Sequence, residues 1–157
     1  MEQRLSLLTL VTDDLARIRR WHAALGWREA TDPAGPVAVW NLGALALMRC
    51  PRAVLAEELG RDPGAGGGAV TLAHNVSGRE DVARLHAAAL RAGATEVAAP
   101  TERAWGGLSS YVADPDGHVW EICWNPGAPL GPGGALHWPE AMDGDGDADG
   151  GGDGDGP

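Results

Sequence analysis

Apolar and polar residues alternate over the first 50 residues in a pattern that predicts one strand, one helix and three short strands. Residues 4–11, RLSLLTLV, are typical of a strand, and the Thr-Asp-Asp at 12–14 offers an N-cap for a helix. That helix is expected to run to Leu25, because apolar residues recur along one stripe at three- and four-residue spacing. Short strands are expected near 27–30, 37–41 and 44–50, separated by turn residues. The predicted order is β-α-β-β-β.

The same pattern is repeated after a Gly-rich stretch. Residues 51–60 have helical composition, and 63–68, PGAGGG, predict a flexible linker. The next elements are expected to be a strand, a helix, a short strand and a hairpin, at 69–76, 79–92, 96–98 and 105–124. The two helices align without a gap at an offset of 67 residues, so that Gly26 matches Gly93. We therefore predict an α+β fold of two βαβββ modules, at 1–62 and 69–126, each burying its open apolar face against the other.

One acidic residue stands in an unexpected place in the last hairpin. The Asp-Pro-Asp-Gly at 114–117 is typical of a tight turn, so the runs on either side should pair. Beyond the turn, period-2 alternation places Glu121 on one face between Val119 and Cys123. A carboxylate without a partner on an apolar face costs several kcal/mol to bury. Glu121 is therefore the first candidate site residue; the alternatives are a solvated face or pairing with an arginine.

This hairpin resembles the C-terminal strands of the vicinal oxygen chelate superfamily, which includes glyoxalases, bleomycin-resistance proteins, fosfomycin-resistance enzymes and extradiol dioxygenases. In that family a DPDG-type turn is followed, four residues after its Gly, by a Glu inside a cup of strands, and here that Glu is Glu121. The WGG at 105–107 and the Trp-Asn-Pro at 124–126 resemble one large branch of the family. The resemblance implies that the two modules form a cup-shaped curved mixed sheet, paired within one chain or by exchange across a dimer. We expect a homodimer.

The residues at the family's metal positions argue against a metal site. Members with metal chemistry bring His, Gln or Glu from equivalent strands of both modules to one divalent ion. In the first module the matching positions, Leu7 and the strand at 44–48, supply no such ligand. In the second module one register selects His74, and the register that we favour selects Thr71 and turns His74 to the other face. The best case is Glu121 with His74, fewer than the three protein ligands of a catalytic zinc site. We favour no metal cofactor; a divalent metal bound by Glu121 and His74 is the alternative.

Charge and composition exclude some partners. The formal charge is -10, and seven of the 22 acidic residues lie in 139–157, where no basic residue is present. Net acidity provides no footprint for nucleic acid or an anionic membrane. All 12 basic residues are Arg, which suggests a GC-rich bacterial genome, and no apolar run approaches the roughly 18 residues of a spanning helix. We predict a cytoplasmic protein whose tail, 127–157, is Pro/Gly-rich and then acidic and disordered.

Two functions are consistent with these residues. Trp40, Trp105 and Tyr111 lie on strands that border the cavity in the resembling fold. Aromatic walls with one buried acid suit a planar or cationic organic ligand. The favoured hypothesis is a binding protein of the bleomycin-resistance type that holds a small molecule without metal. The alternative is a lyase, isomerase or natural-product tailoring enzyme that uses Glu121 as a general base or metal ligand. A third interpretation is a domain whose own side chains fill the cup.

Overall fold

The computed structural model describes residues 5–64 and 70–136. These residues form seven strands and three α-helices, which we number in chain order. The elements of the first module are β1 (Leu7–Thr12), α1 (Leu15–Ala24), β2 (Ala38–Leu42), β3 (Leu45–Pro51) and α2 (Arg52–Leu59). Those of the second are β4 (Thr71–Asn75), α3 (Arg79–Arg91), β5 (Thr95–Glu102), β6 (Leu108–Ala113) and β7 (Val119–Trp124), followed by a 3-10 turn (Pro132–Gly134). The predicted α+β class is confirmed, as an open pair of mixed sheets.

The first module contains a three-stranded sheet in the order β1-β3-β2, with β1 parallel and β2 antiparallel to β3. The strand expected at 27–30 is absent from this described module, so that prediction is wrong. Only the Ala30 N–H reaches the neighbouring β2, where it donates to the Val39 carbonyl at 2.7 Å. The Val39 N–H donates instead to the Thr31 hydroxyl at 3.1 Å. A side chain thus replaces the backbone acceptor that would continue the ladder.

The second module contains a four-stranded sheet in the order β4-β7-β6-β5, in which β4 is parallel to β7 and the other neighbours are antiparallel. The turn at 114–117 has the predicted chemistry: Asp114 Oδ1 accepts from the N–H groups of Asp116 and His118, both at 3.0 Å, and Gly117 has φ 86°. The matched glycines Gly26 and Gly93, at the ends of α1 and α3, have φ values of 82° and 107°. Both helices therefore end in the way that the internal repeat predicts.

Buried side chains from both modules form one core. Trp21 of α1 packs against Trp120 of β7 with ring centroids 5.7 Å apart. The buried Arg49 of β3 forms an ion pair with the buried Asp114, and the His118 imidazole Nε2 lies 2.9 Å from the Val11 carbonyl. In this chain the two modules are therefore joined by apolar packing and by polar contacts. Each sheet consequently has one face in the shared core.

The chain beyond the second module folds back on the sheet as far as it is described. Ala128 is buried, and Leu130 pairs with Leu136 in an antiparallel bridge. Most of the predicted linker and the acidic segment 139–157 lie outside the described residues. No helix within 5–64 and 70–136 has both the length and the apolar character needed to cross a membrane.

Candidate functional site

The alternation of side chains along β7 brings Glu121 to the sheet face opposite the core. Ile122 is 3% exposed and lies in the core, whereas Glu121 is half-buried on the other face, as predicted. On β6, Tyr111 is the direct partner of Glu121 in the antiparallel register. The Tyr111 hydroxyl donates to Glu121 Oε1 at 2.8 Å. Pairing with an arginine was one of the alternatives for Glu121; its partner in the structure is instead the hydroxyl of its cross-strand neighbour.

A cleft of about 600 Å³ opens over this face, and we call it the Glu121 cleft. Its lining residues are Ala73, Asn75, Trp105, Glu121, Cys123, Asn125, Gly127 and Leu136. Glu121 is the only charged residue among them. The Trp105 side chain is 51% exposed, so its indole is available to a guest. The cleft thus combines one carboxylate, two amides and one accessible aromatic wall.

The glycines of the WGG segment position the Trp105 indole. Gly106 has φ 90°, a backbone conformation that L-residues rarely adopt. A Cβ atom added at Gly107 would overlap carbons of the Trp105 six-membered ring. The ring of Trp105 itself occupies the space over Gly107, so the missing side chain there makes room for the indole rather than for a ligand.

Arg103 and Ser109 hold Tyr111 from its other side. The Arg103 guanidinium carbon lies 5.4 Å from the centroid of the Tyr111 ring, within the range of a cation-π contact. The Arg103 Nε–H donates to Ser109 Oγ at 2.8 Å, which fixes the guanidinium beside the ring. Ser109 is fully buried in the same hairpin. Tyr111 is thus held by Arg103 on its ring and by Glu121 at its hydroxyl.

Two groups on this face are kept in their protonated forms. The hydrogen bond to Glu121, together with burial, raises the pKa of Tyr111 above its ordinary value. Burial, with a smaller effect of the Glu121 charge, raises the pKa of the Cys123 thiol. At neutral pH Tyr111 therefore remains a hydrogen-bond donor. Cys123 behaves as a small buried side chain rather than as a thiolate nucleophile.

The structure separates Trp40 and His74 from the Glu121 cleft. Trp40 is 2% exposed and packs on the buried His22, with ring centroids 4.1 Å apart. It borders a second cleft, of about 620 Å³, between β2 and β4. His74 pairs with Ile122 in the β4–β7 register, while Ala73 is the partner of Glu121. His74 therefore lies on the other face of the sheet, as the Thr71 register requires.

The residues around Glu121 do not fit a divalent metal ion. Thr71, Ala73 and Asn75 share the Glu121 face of β4; Thr71 and Asn75 carry side-chain oxygens, but none of the three is a carboxylate, imidazole or thiolate. The pairing of Glu121 with His74 would need ligands from opposite faces of one sheet. Across the described parts of the chain, no group of three or more His, Cys, Asp or Glu residues could hold a metal. Catalytic metal sites generally use three protein ligands, so we derive no chemistry from a metal here.

Sequence reasoning missed several residues of this site. The pairing of Tyr111 with Glu121 could have been found by counting outward from the turn, where Ala113 opposes Val119. Cys123 was placed on the correct face but not in a cleft. Asn75 shares the face of Thr71 on β4 and could have been found by alternation along that strand. The remaining missed residues give no signal in sequence because loops and the C-terminal extension bring them together: Arg103, Asn125, Gly127 and Leu136.

Comparisons with known proteins agree with this architecture. A family model described as the Glyoxalase/Bleomycin resistance protein/Dioxygenase superfamily matches residues 4–122. A solved structure of a glyoxalase-related enzyme from Fulvimarina pelagi is 30% identical, with a TM-score of 0.83, and the match covers 87% of this chain and 99% of that one. A glyoxalase/bleomycin resistance protein/dioxygenase family enzyme from Burkholderia phytofirmans PsJN is 22% identical, with a TM-score of 0.67, covering 76% and 96% of the two chains. TioX from Micromonospora sp. ML1 is 23% identical, with a TM-score of 0.56, and the match covers 78% of this chain and 98% of that one. The last two likenesses concern the fold alone, and a search of curated proteins gave no match.

Proposed function

This chain belongs to the glyoxalase/bleomycin resistance protein/dioxygenase superfamily, and on that premise we propose that it binds a small planar organic molecule in the Glu121 cleft without a metal ion. The preferred ligand is cationic. One observation carries the proposal: the Tyr111 hydroxyl donates to Glu121 at 2.8 Å beside the accessible indole of Trp105. A fixed acid next to an aromatic wall in a cleft is the arrangement that recognises a flat cation.

The hydrogen bond from Tyr111 leaves part of Glu121 for a ligand. Tyr111 engages Oε1, and no other side chain or backbone group of the described residues donates to the carboxylate. Because the pKa of Tyr111 is raised, the phenol stays protonated and continues to donate at neutral pH. The carboxyl group is therefore held in one orientation before a ligand arrives. Pre-organisation of this kind lowers the entropy lost on binding.

The charges near the cleft favour a cation over an anion. Glu121 is the only charged lining residue, and Arg103 is held on Ser109 and on the face of Tyr111. A ligand cation could therefore pair with Glu121 without displacing a protein cation from it. Truncating one partner of such a desolvated pair costs about 2 kcal/mol or more, which is roughly thirtyfold in Kd.

Isothermal titration calorimetry with matched ring compounds tests the proposal. N-methylquinolinium, neutral isoquinoline and naphthalene-2-sulfonate have similar flat rings and differ in charge. We expect the cation to bind at least tenfold more tightly than the sulfonate. Glu121→Gln should abolish that preference, whereas Glu57→Gln, the same substitution on the exposed face of α2, should preserve it. Elemental analysis of the protein used should find well below one divalent metal ion per chain.

Trp105 and Tyr111 give two further variants for the same titration. Trp105→Ala should weaken the binding of all three compounds because it removes the stacking surface, and that of the cation most because it also removes the cation-π contact; Trp105→Phe should retain most of the affinity. Tyr111→Phe should reduce the preference for the cation because Glu121 loses its fixed orientation. If a compound binds but no substitution at these three positions weakens it by even threefold, the ligand lies elsewhere and the proposal is wrong.

The same pair of residues favours a second candidate function, catalysis by Glu121 as a general base. A carboxylate oriented by a neutral donor is suited to removing a proton from a carbon acid, as in lyases, isomerases and natural-product tailoring enzymes. The test is proton exchange in D2O with a panel of small carbonyl compounds, followed by proton NMR. Exchange that Glu121→Gln abolishes and Glu57→Gln preserves would support this function. No exchange above the rate of the buffer would exclude it for those compounds.

A further inference from the structure

The cleft between β2 and β4 adjoins the Glu121 cleft, and we call it the second cleft. Its volume is about 620 Å³. Ala73 and Asn75 of β4 and Leu136 of the C-terminal extension line both clefts, which are therefore continuous. Among the described strands, β4 has only β7 as a neighbour, so its other edge is free. A ligand longer than one cleft can lie in both by passing over β4.

The two clefts carry one charge each, and the charges are opposite. Arg28, on the segment after α1, lines the second cleft and is exposed. His74 lines it as well, but desolvation lowers the pKa of this imidazole, so it is uncharged at neutral pH. The other lining residues of the second cleft are uncharged. A ligand that occupies both clefts therefore meets a guanidinium at one end and the Glu121 carboxylate at the other.

The Arg28 guanidinium is available to pair with a ligand. The acidic residue next to it, Glu29, is already engaged: Arg19 Nη2 lies 3.1 Å from its Oε1, and the Thr31 hydroxyl donates to the same oxygen at 2.7 Å. Arg28 forms no salt bridge with any residue in the described part of the chain. A guanidinium can donate two parallel hydrogen bonds to one carboxylate, so a carboxylate is the group that this side chain recognises best.

Uncharged groups of the second cleft suit a carboxylate and the chain that carries it. Asn41 is exposed in this cleft, and its amide N–H groups can donate to a carboxylate oxygen. Trp27 is half-buried beside Arg28 in sequence, and it adds an aromatic surface to the same cleft. Asn75 belongs to both clefts, so it can contact a chain that passes over β4. The lining therefore accommodates an acid at the end of a short chain.

We propose that the ligand of the Glu121 cleft is zwitterionic: a planar cation with a short tail that ends in a carboxylate, which pairs with Arg28 in the second cleft. This rests on the proposed function, because Glu121 and Trp105 place the cationic ring. The order of charges along the ligand then matches the order of charges along the two clefts. Once the ring is bound, the tail meets Arg28 at a high effective concentration.

The exposure of Arg28 sets the size of the expected gain. Exposed ion pairs contribute little, and about fivefold in affinity is near their upper limit. We therefore expect a carboxylate tail to bind about three- to fivefold more tightly than an uncharged tail of the same length. Neighbouring strands lie about 4.8 Å apart, so a tail that passes over β4 must span on the order of one to two strand spacings. Tails of about two to six carbon atoms cover that range.

Calorimetric titration of the intact chain with paired probes measures this gain. Each pair is an N-alkylquinolinium that ends in a carboxylate and the same compound ending in a carboxamide, and N-methylquinolinium is the reference without a tail. At the best tail length the carboxylate should bind at least threefold more tightly than the carboxamide. Arg28→Gln should abolish that ratio and leave N-methylquinolinium binding unchanged. Arg91→Gln, the same substitution at an exposed residue of α3 that lines neither cleft, should preserve the ratio.

The outcomes distinguish a failure of this proposal from a failure of the proposed function. If N-methylquinolinium binds through Glu121 but no carboxylate gains over its carboxamide, the zwitterionic ligand is wrong and the proposed function stands. A gain that survives Arg28→Gln, or that Arg91→Gln removes equally, would also overturn the role of Arg28. If none of the probes binds, both proposals are wrong. Arg28→Lys, which keeps the charge but not the paired donors, should retain only part of the gain.

Discussion

Substituting the buried ion pair between the modules offers a direct test of what holds this fold together. The side chains of Arg49 and Asp114 are both fully buried, and Arg49 Nη2 donates to Asp114 Oδ2. Removing one partner of a buried pair generally costs about 3–5 kcal/mol, because the other charge is left without compensation. The free energy of unfolding of a small domain is about 5–15 kcal/mol, so either substitution should remove a large part of the stability of this protein.

The surroundings of the two groups predict which substitution costs more. Without Arg49, Asp114 still accepts from the Trp120 indole at 3.1 Å and from the N–H groups of Asp116 and His118 at 3.0 Å. Without the Asp114 charge, the nearest carboxylate oxygen to Arg49 in the described part of the chain is Asp116 Oδ2, 3.8 Å from Nη1. Two further nitrogens of Arg49, Nε and Nη1, have no hydrogen-bond partner in the described chain. Arg49→Met should therefore lie near the lower end of about 3–5 kcal/mol, and Asp114→Asn near the upper end.

Urea unfolding followed by circular dichroism and tryptophan fluorescence measures these differences. The Asn side chain keeps an acceptor for the turn, so Asp114→Asn isolates the loss of charge. The double variant should cost less than the sum of the single variants, because it leaves no unpaired charge. Arg84→Met, which breaks an exposed pair with Asp81, should cost less than about 1 kcal/mol. If Arg49→Met also costs less than that, or if Asp114→Asn costs no more than Arg49→Met, this account of the ion pair is wrong.

Three further predictions follow from single features. Gly107→Ala should displace the Trp105 indole and weaken cation binding as much as Trp105→Ala does. Gly127→Ala should leave cation binding unchanged, because its added Cβ would meet only Asn125 Oδ1, at 3.4 Å. Burial lowers the pKa of His22 from its ordinary value of 6.5 to about 3. Between these two pH values, His22 therefore binds a proton in the unfolded chain but not in the folded chain. The free energy of unfolding should fall by up to about 1.4 kcal/mol per pH unit between these values, and His22→Leu should remove that slope in urea titrations at pH 6.5, 5.5 and 4.5. Deleting 139–157 removes seven acidic residues, and the thermal midpoint should barely change; a loss of several degrees would mean that the segment docks.

Local patterns predicted most of the fold because the elements involved are specified by nearby residues. The helix stripes, the turn at 114–117 and the repeated Gly26 and Gly93 each depend on a few positions in one segment. The strand expected at 27–30 failed for a tertiary reason. Its alternation is genuine, but the Thr31 hydroxyl takes the Val39 N–H that a backbone carbonyl would have needed. Side-chain competition of this kind is not visible in a hydropathy pattern.

The residues of the site could be predicted only to the extent that the sequence predicts which face of the sheet each strand residue occupies. Alternation separated Glu121 from the face of Ile122, which is the core face in the structure, and the register from the turn contains the pairing with Tyr111. Trp40 is expected at the ligand site because its strand borders the cavity in the resembling fold, yet its ring packs on the buried His22, which is distant in sequence. Whether an aromatic residue lines a cleft or fills the core depends on contacts between segments. The sequence alone does not rank those contacts.

The composition of the Glu121 cleft depends on a single count of residues in the second module. Odd-numbered residues of β7 and β4, such as Glu121 and Ala73, face the cleft, and their neighbours Ile122 and His74 face the other side of the sheet. Because side chains alternate with a period of two, a shift of one residue would exchange the faces and bring the carboxylate into the core. The turn at 114–117 sets this count, since Asp114 holds it through two backbone N–H groups. Asp114 also accepts from Arg49 of the first module, so a residue that joins the two modules also fixes which side chains line the Glu121 cleft.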